Sequence, residues 1–218
     1  SPSHRVPNAN EGRFLAYTTL AYGGQGLSQF TYYGYSDFEG GVAEYPTREV
    51  TLTPLGKALR QINPEFVAVA EQVQPLRSIG AYHLGVQPQG TKRLPRNSPF
   101  KVSAKKGILL GLFGPDAQFA DPTYALVVNL DYTNPKSARV SGPGELSVFD
   151  ASTGVWSPMG SDTVLLSLLP GGGKLVGFQS QPPTPSTEFT WGSTEAVVKA
   201  EWTPGAAGDH ALSARLEV

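Results

Sequence analysis

The chain of 218 residues contains no cysteine, which excludes disulfides, thiolate nucleophiles and zinc–thiolate centres together and leaves the redox compartment open. Charge is also scarce: charged residues make up 16% of the chain and the formal net charge is −1. We therefore expect no nucleic-acid partner, because no basic surface is available to neutralise phosphates. The longest apolar run, Ile108-Leu-Leu-Gly-Leu-Phe113, is strand-sized and far shorter than the roughly 20 residues of a membrane helix. No membrane partner is expected either.

Several catalytic and metal-binding motifs are missing. His4, His83 and His210 fall on separate segments without paired ligand spacing, and no G-x-S-x-G motif occurs. The run Gly171-Gly-Gly173 lacks the Lys-Ser/Thr of a phosphate-binding loop and is interpreted as a hairpin turn. We expect no metal site and no cofactor.

Two helices are predicted in the first third of the chain. Asn8 and Glu11 have the spacing of a capping box, and apolar residues then recur at three- and four-residue intervals, which predicts a helix over 9–22. Residues 27–33 are β-rich and follow a glycine stop, so they are predicted to form a strand. Thr53-Pro54 starts a second predicted helix, which continues to about residue 77 with a kink at Pro64.

The hydrophobic period changes from helical to alternating near residue 79. Short strands separated by turn residues are typical of an antiparallel β-sandwich. The predicted strands are 79–84, 99–103, 107–113, 123–130, 137–141, 145–150, 163–169 and 174–178, with further candidates at 187–191, 195–202 and 211–217 beyond a proline-rich linker. Eight apolar residues on alternating positions are expected to form one layer between two sheets: Tyr82, Leu109, Leu126, Val128, Leu146, Val148, Leu166 and Val176.

The run Ala21-Tyr-Gly-Gly-Gln-Gly-Leu-Ser-Gln-Phe-Thr-Tyr-Tyr33 resembles the strand-eight region of clan A glycoside hydrolases, the (β/α)8-barrel enzymes that include the β-galactosidase-like families. Residues 52–63 resemble the start of their final barrel helix, and the segments 124–131 and 146–154 resemble the β-sandwich appended to many of them. The likeness covers roughly residues 5–178. Tyr33 departs from the family pattern, which has tryptophan at this point.

The resemblance implies a fold that is α/β plus all-β: the last helix-strand-helix of a (β/α)8 barrel in residues 1–78, then a β-sandwich in 79–180. Residues 181–218 would be a linker and additional strands. A lone parallel strand cannot bury its own faces, so the rest of the barrel is expected as a partner, in a second chain or a missing segment. The chain starts at Ser1 without a methionine, so the lack of a leader is uninformative, and a secreted or periplasmic location is slightly favoured.

The family's two catalytic glutamates would lie outside this chain, so no catalytic residue is predicted within it. Substrate-binding residues are predicted at the barrel mouth. The rings of Tyr33 and Tyr35 can stack on a sugar, and the carboxylates of Asp37 and Glu39 can accept hydrogen bonds from sugar hydroxyls. A buried core position for Tyr33, and solvated or structural positions for Asp37, Glu39 and Glu44, are the alternatives.

Two functions remain open at this point. The first is part of a retaining glycoside hydrolase, an enzyme that cleaves O-glycosidic bonds of a carbohydrate substrate, with its chemistry completed by residues elsewhere. The second is a noncatalytic carbohydrate-binding or structural β-sandwich module. Trp156, Trp191 and Trp202 are candidates for a carbohydrate platform, although single tryptophans more often pack in a core.

Overall fold

The computed structural model describes residues 6–29, 32–33, 41–44, 50–104, 107–115, 122–178, 197–204 and 210–217. Two helices, α1 (Ala9–Ala21) and α2 (Pro54–Val73), precede a series of antiparallel strands. The strands are β1 (Arg77–Leu84), β2 (Lys101–Ser103), β3 (Ile108–Gly114), β4 (Tyr124–Asn129), β5 (Lys136–Ser141), β6 (Ser147–Asp150), β7 (Val155–Pro158), β8 (Thr163–Leu168), β9 (Gly173–Gly177), β10 (Val197–Pro204) and β11 (His210–Glu217).

The chain divides into two compact units, residues 1–185 and 186–218. The first holds a six-stranded sheet in the order β1-β3-β4-β9-β6-β7 and a three-stranded sheet in the order β2-β5-β8. In the second unit β10 and β11 pair antiparallel, with Val197 opposite Glu217 and Pro204 opposite His210.

Both helices begin as their sequences predict. The Asn8 side chain accepts from the Glu11 backbone amide at 3.0 Å, and the Glu11 carboxylate accepts from the Asn8 amide at 2.9 Å, which completes the capping box of α1. Thr53 caps α2 by accepting from the Gly56 amide at 3.1 Å, with Pro54 at the first helical position. The second helix continues through Pro64 and ends a turn earlier than predicted.

The six-stranded sheet is the middle of three layers, because both of its faces are covered. On one side, residues of α1 and α2 pack on Leu109, Phe113, Leu126 and Val128; we call this the helix-facing core. On the other side, Ile108, Leu110, Leu112 and Val127 pack against the three-stranded sheet; we call this the inter-sheet core. Every residue of β3 and β4 is buried, which explains their unbroken apolar sequences.

The predicted single apolar layer is therefore wrong in part. Leu109, Leu126 and Val128 lie in the helix-facing core, whereas Leu146, Leu166 and Val176 lie in the inter-sheet core. Successive strand residues point to opposite faces, and a sheet covered on both faces buries both sets. The strand β7 was not predicted, since its sequence Val155-Trp-Ser-Pro158 has no alternation and ends in proline.

The prediction of a barrel end, α/β plus all-β, is wrong. The described residues form a mainly β fold with two helices and antiparallel sheets, and no helix-strand-helix unit with parallel neighbours is present among them. Residues 27–29 lack regular structure, and Tyr33 makes only an isolated parallel bridge with Ala43. The apolar faces of both helices are covered by the six-stranded sheet, which removes the reason to expect a missing barrel body around them.

Glycines allow α1 to lie directly on the sheet. A Cβ at Gly111 on β3 would meet the Ala21 backbone, with the Ala21 Cα at 2.7 Å, and a Cβ at Gly173 would meet the Tyr17 ring at 2.7 Å. Residues 171–173 connect β8 in the three-stranded sheet to β9 in the six-stranded sheet, so the predicted hairpin turn is instead a crossover between sheets. These small residues set the close approach of helix and sheet.

Candidate functional site

An open, largely apolar depression lies beside the C-terminal half of α1. Its volume is about 690 Å³, whereas two other cavities measure about 270 and 230 Å³. We call it the aromatic groove, lined by Phe14, Thr18, Thr19, Tyr22, Gly23, Gly24, His83, Leu109 and Leu130.

Helical spacing places three of these side chains in a row. Phe14, Thr18 and Tyr22 follow one another at four-residue intervals, so they lie on the same side of α1. The helix stops at Gly23, whose φ of 84° suits glycine, and the Gly23 and Gly24 amides donate to the Leu20 and Thr19 carbonyls. This glycine stop leaves the ring of Tyr22 at the end of the helix with 54% of its surface exposed.

A histidine from the sheet fixes the position of that ring. The Tyr22 hydroxyl and His83 Nε2 are 2.7 Å apart, although the residues are 61 positions apart in sequence. The His83 Nδ1 atom is buried without a hydrogen-bond partner among the described residues, and burial lowers the pKa of the imidazole. The ring is therefore neutral near pH 7.

The donor and the acceptor in this pair depend on which imidazole nitrogen carries the hydrogen. With either assignment the Tyr22 oxygen keeps a lone pair that can accept from a hydroxyl of a ligand in the groove.

The far end of the groove is also aromatic. Phe14 meets Tyr132 edge to face, with ring centroids 5.9 Å apart and planes at 76°, and 43% of the Tyr132 surface is exposed. The fully buried Leu109 and the half-buried Leu130 form the apolar floor between the two ends. Among the residues that the structure describes, no Lys, Arg, Asp or Glu side chain lines the groove.

A polar cavity on another side of α1 brings two carboxylates and two cations together. Glu65 and Asp150 line it with Arg13 and Lys174. The Glu65 carboxylate accepts from the Tyr17 hydroxyl at 3.3 Å and from Gln61 at 3.0 Å. Burial, reinforced by Glu65, raises the pKa of Tyr17.

Asp150 does not have the environment of a general acid. Hydrogen bonds from the Ser152 hydroxyl and amide lower the pKa of Asp150, whereas a glycosidase acid needs a raised pKa. The carboxylate of Glu65 is held by Tyr17 and Gln61. Over the part of the chain that the structure describes, no group of three or more His, Asp or Glu residues is placed to hold a metal ion.

The predicted substrate-binding residues fall largely outside the described part of the chain. Tyr35, Asp37 and Glu39 lie there, so their placement stays a prediction. Tyr33 is half-buried, meets the ring of Tyr32 edge to face at 4.8 Å, and is not part of the aromatic groove.

Trp156 is a packing residue. Its ring contacts Tyr124 at 5.0 Å and Phe149 at 5.3 Å, and its Nε1 donates to Gln72 on α2 at 2.9 Å. Trp191 lies outside the described residues, and Trp202 is in β10. The expected tryptophan platform therefore does not include Trp156.

Sequence reasoning missed the aromatic groove. The three- and four-residue spacing that predicts α1 includes Phe14, Thr18 and Tyr22 and does not separate them from the residues that face the core. In the structure the buried face is formed by Ala16, Tyr17, Leu20 and Ala21, whereas Phe14 and Thr18 are half-buried and Tyr22 is exposed. The aromatic residues at four-residue spacing are a signal for this row, but the contact with His83 cannot be found from the sequence.

Comparison of the chain with protein-family models, curated proteins and solved structures found no match. The resemblance to clan A glycoside hydrolases therefore has no support from these comparisons, and the fold contradicts it. Among the described helices none is long and apolar enough to cross a membrane.

Proposed function

We propose that this chain is a noncatalytic carbohydrate-binding module and that the aromatic groove is its ligand-binding surface. The observation that carries the proposal is the ring of Tyr22, which is 54% exposed beside an apolar floor while its hydroxyl is held by His83 at 2.7 Å. An exposed aromatic ring with a fixed polar tip offers a face for the C–H groups of a sugar and a hydrogen bond for its hydroxyls.

The charge of the groove supports a neutral ligand. The described residues of its lining include no Lys, Arg, Asp or Glu, and the lowered pKa of His83 keeps that ring neutral at pH 7. A phosphate or a carboxylate would lose its hydration there without gaining a cation. A sugar carries hydroxyls on its edges and C–H groups on its faces, so it suits aromatic walls with a few polar groups.

The rest of the fold supports a binding role for this surface. The close contact of Ala21 with Gly111 packs the end of α1 directly on the sheet, and the hydrogen bond to His83 fixes the orientation of the adjacent Tyr22 ring. A surface fixed in this way loses little conformational entropy on binding. Hydrolysis of glycosides stays an untested prediction and is not part of this proposal.

Binding to immobilised or soluble polysaccharides tests the proposal. We expect the intact chain to bind at least one of a panel of glucans, xylans, mannans and galactans, measured by affinity electrophoresis and then by calorimetry. Tyr22→Ala removes one aromatic contact of about 0.5–1.5 kcal/mol together with a hydrogen bond, so affinity should fall about 10-fold. Tyr22→Phe keeps the aromatic face and should have a smaller effect.

The chain offers a matched control. Tyr32 has the same exposed fraction as Tyr22, 54%, but lies outside the groove, so Tyr32→Ala should change affinity less than twofold. Equal losses for Tyr22→Ala and Tyr32→Ala would place the ligand elsewhere. Failure of the intact chain to bind any polysaccharide of the panel would refute the carbohydrate function itself.

A further inference from the structure

We infer that the aromatic groove binds an extended oligosaccharide of several sugar units, and not a single sugar, with Tyr22 and His83 contacting one end and Phe14 and Tyr132 the other. This inference rests on the proposed function and specifies its ligand. It depends on the distance between the two aromatic ends and on the different polar groups at each.

The length of the groove follows from the helix. Phe14 and Tyr22 are eight residues apart on α1, which corresponds to about 12 Å along the axis at a rise of 1.5 Å per residue. Aromatic contacts form at centroid separations of about 4.5–7 Å. The two residues lie side by side along the helix, so one sugar ring contacts only one of them at a time.

The surface between the two ends is continuous. Thr18 occupies the intermediate helical turn, and its hydroxyl donates to the Phe14 carbonyl at 2.6 Å. The Thr18 hydroxyl hydrogen is therefore already used within the helix. With Leu109 and Leu130 beneath it, this middle section offers mainly apolar contacts to a ligand that passes over it.

Tyr132 extends the surface beyond Phe14. Its ring stands at 76° to that of Phe14 and is 43% exposed, so a ligand lying along the groove meets a second aromatic surface after Phe14. A single sugar held at Tyr22 would leave Tyr132 unused.

The two ends carry different polar groups. At one end His83 Nε2 holds the Tyr22 hydroxyl at 2.7 Å, so the Tyr22 oxygen presents an acceptor in a fixed position to a sugar hydroxyl. At the other end Phe14 offers its ring, and Tyr132 adds a ring whose hydroxyl lies beyond the lining of the groove. The Tyr22 end is therefore expected to distinguish the arrangement of sugar hydroxyls more strictly than the Phe14 end.

Calorimetric titration with oligosaccharides of one to six units, prepared from the polysaccharide that binds best, tests the inference on the unmodified chain. We expect affinity to rise at least 10-fold between the monosaccharide and the tetrasaccharide and to change less than twofold beyond that length. Equal affinity for the monosaccharide and the hexasaccharide would overturn the extended site while leaving carbohydrate binding intact.

Two variants locate the ends. Tyr132→Ala should weaken the tetrasaccharide about threefold to 10-fold and leave the disaccharide unchanged, whereas Tyr22→Ala should weaken both. Near-ultraviolet circular dichroism confirms that each variant is folded. Equal effects of Tyr132→Ala on short and long ligands would overturn the assigned direction, and absence of binding at every length would overturn the proposed function and this inference together.

Discussion

Replacing Gly111 by alanine should weaken the packing of α1 on the six-stranded sheet and lower the stability of the fold. In an ordinary strand position this change gains about 0.5–1 kcal/mol, because alanine loses less chain entropy on folding than glycine. At Gly111 the new Cβ would lie 2.7 Å from the Ala21 Cα and closer still to the Ala21 carbonyl oxygen. Both are backbone atoms, so no change of rotamer relieves the overlap.

The size of the effect follows from how far the helix must move. Ordinary contact begins near 3.4 Å, so the C-terminal end of α1 has to retreat by at least about 0.7 Å to clear the Ala21 Cα, and by more to clear the Ala21 carbonyl oxygen. Overpacking of this kind costs about 1–3 kcal/mol. After the entropic gain, we expect the free energy of unfolding to fall by about 1–2 kcal/mol.

Urea titration of the intact chain, followed by tryptophan fluorescence and circular dichroism, measures this change. Gly144→Ala is the matched control, since nothing lies within 4 Å of its Cβ position, and should change stability by less than about 0.5 kcal/mol. If Gly111→Ala is as stable as Gly144→Ala, or more stable than the parent, α1 does not pack as closely on β3 as the structure indicates.

Two further predictions concern buried titratable groups. The Tyr124 hydroxyl is buried without a partner among the described residues, and burial raises its pKa to about 12, so Tyr124→Phe should be neutral or stabilising by up to about 1 kcal/mol in thermal unfolding. Tyr17→Phe, which removes a donor to Glu65, should instead be destabilising. If Tyr17→Phe were more stable than Tyr124→Phe, the environments described for Tyr17 and for Tyr124 would both be wrong. Because burial lowers the pKa of His83 below 6.5, the unfolded chain takes up this proton first. The contribution of His83 to stability is thus present above its ordinary pKa and is lost as pH falls below about 6.5. His83→Gln should reduce this loss of stability in urea titrations, whereas an equal loss in the variant and the parent would show that His83 is solvated.

Local sequence patterns predicted most elements of the fold. The Asn8 and Glu11 spacing predicted the start of α1 within a residue, and eight of the nine strands in residues 77–178 fall where alternation and turn residues indicated. These signals succeed because a cap or a strand face depends on a few neighbouring residues.

The layer that covers the helices could not be predicted in the same way. The apolar stripes of α1 and α2 are compatible with packing on parallel barrel strands or on one face of an antiparallel sheet. The β-rich sequence 27–33 suggested the first arrangement, but its described residues form no strand beyond the isolated bridge of Tyr33 with Ala43, and the sheet formed by β3 and β4 provides the cover. The contact of Tyr22 with His83 could not be predicted from the sequence either, because it depends on how α1 packs on the sheet.

The burial of β3 and β4 on both faces has a consequence for strand alignment. A slip of one residue normally moves an apolar set into water, which penalises the wrong pairing. Here, apart from the buried Asn129 at the end of β4, it would exchange two apolar sets, because every residue of both strands is buried. The faces differ in shape: a slip would bring Leu110 or Leu112 under the Ala21 backbone where Gly111 fits. The correct alignment of the central strands is therefore selected by side-chain volume beneath α1, together with the hydrogen bonds from the Asn129 side chain to the Asn134 and Leu169 carbonyls.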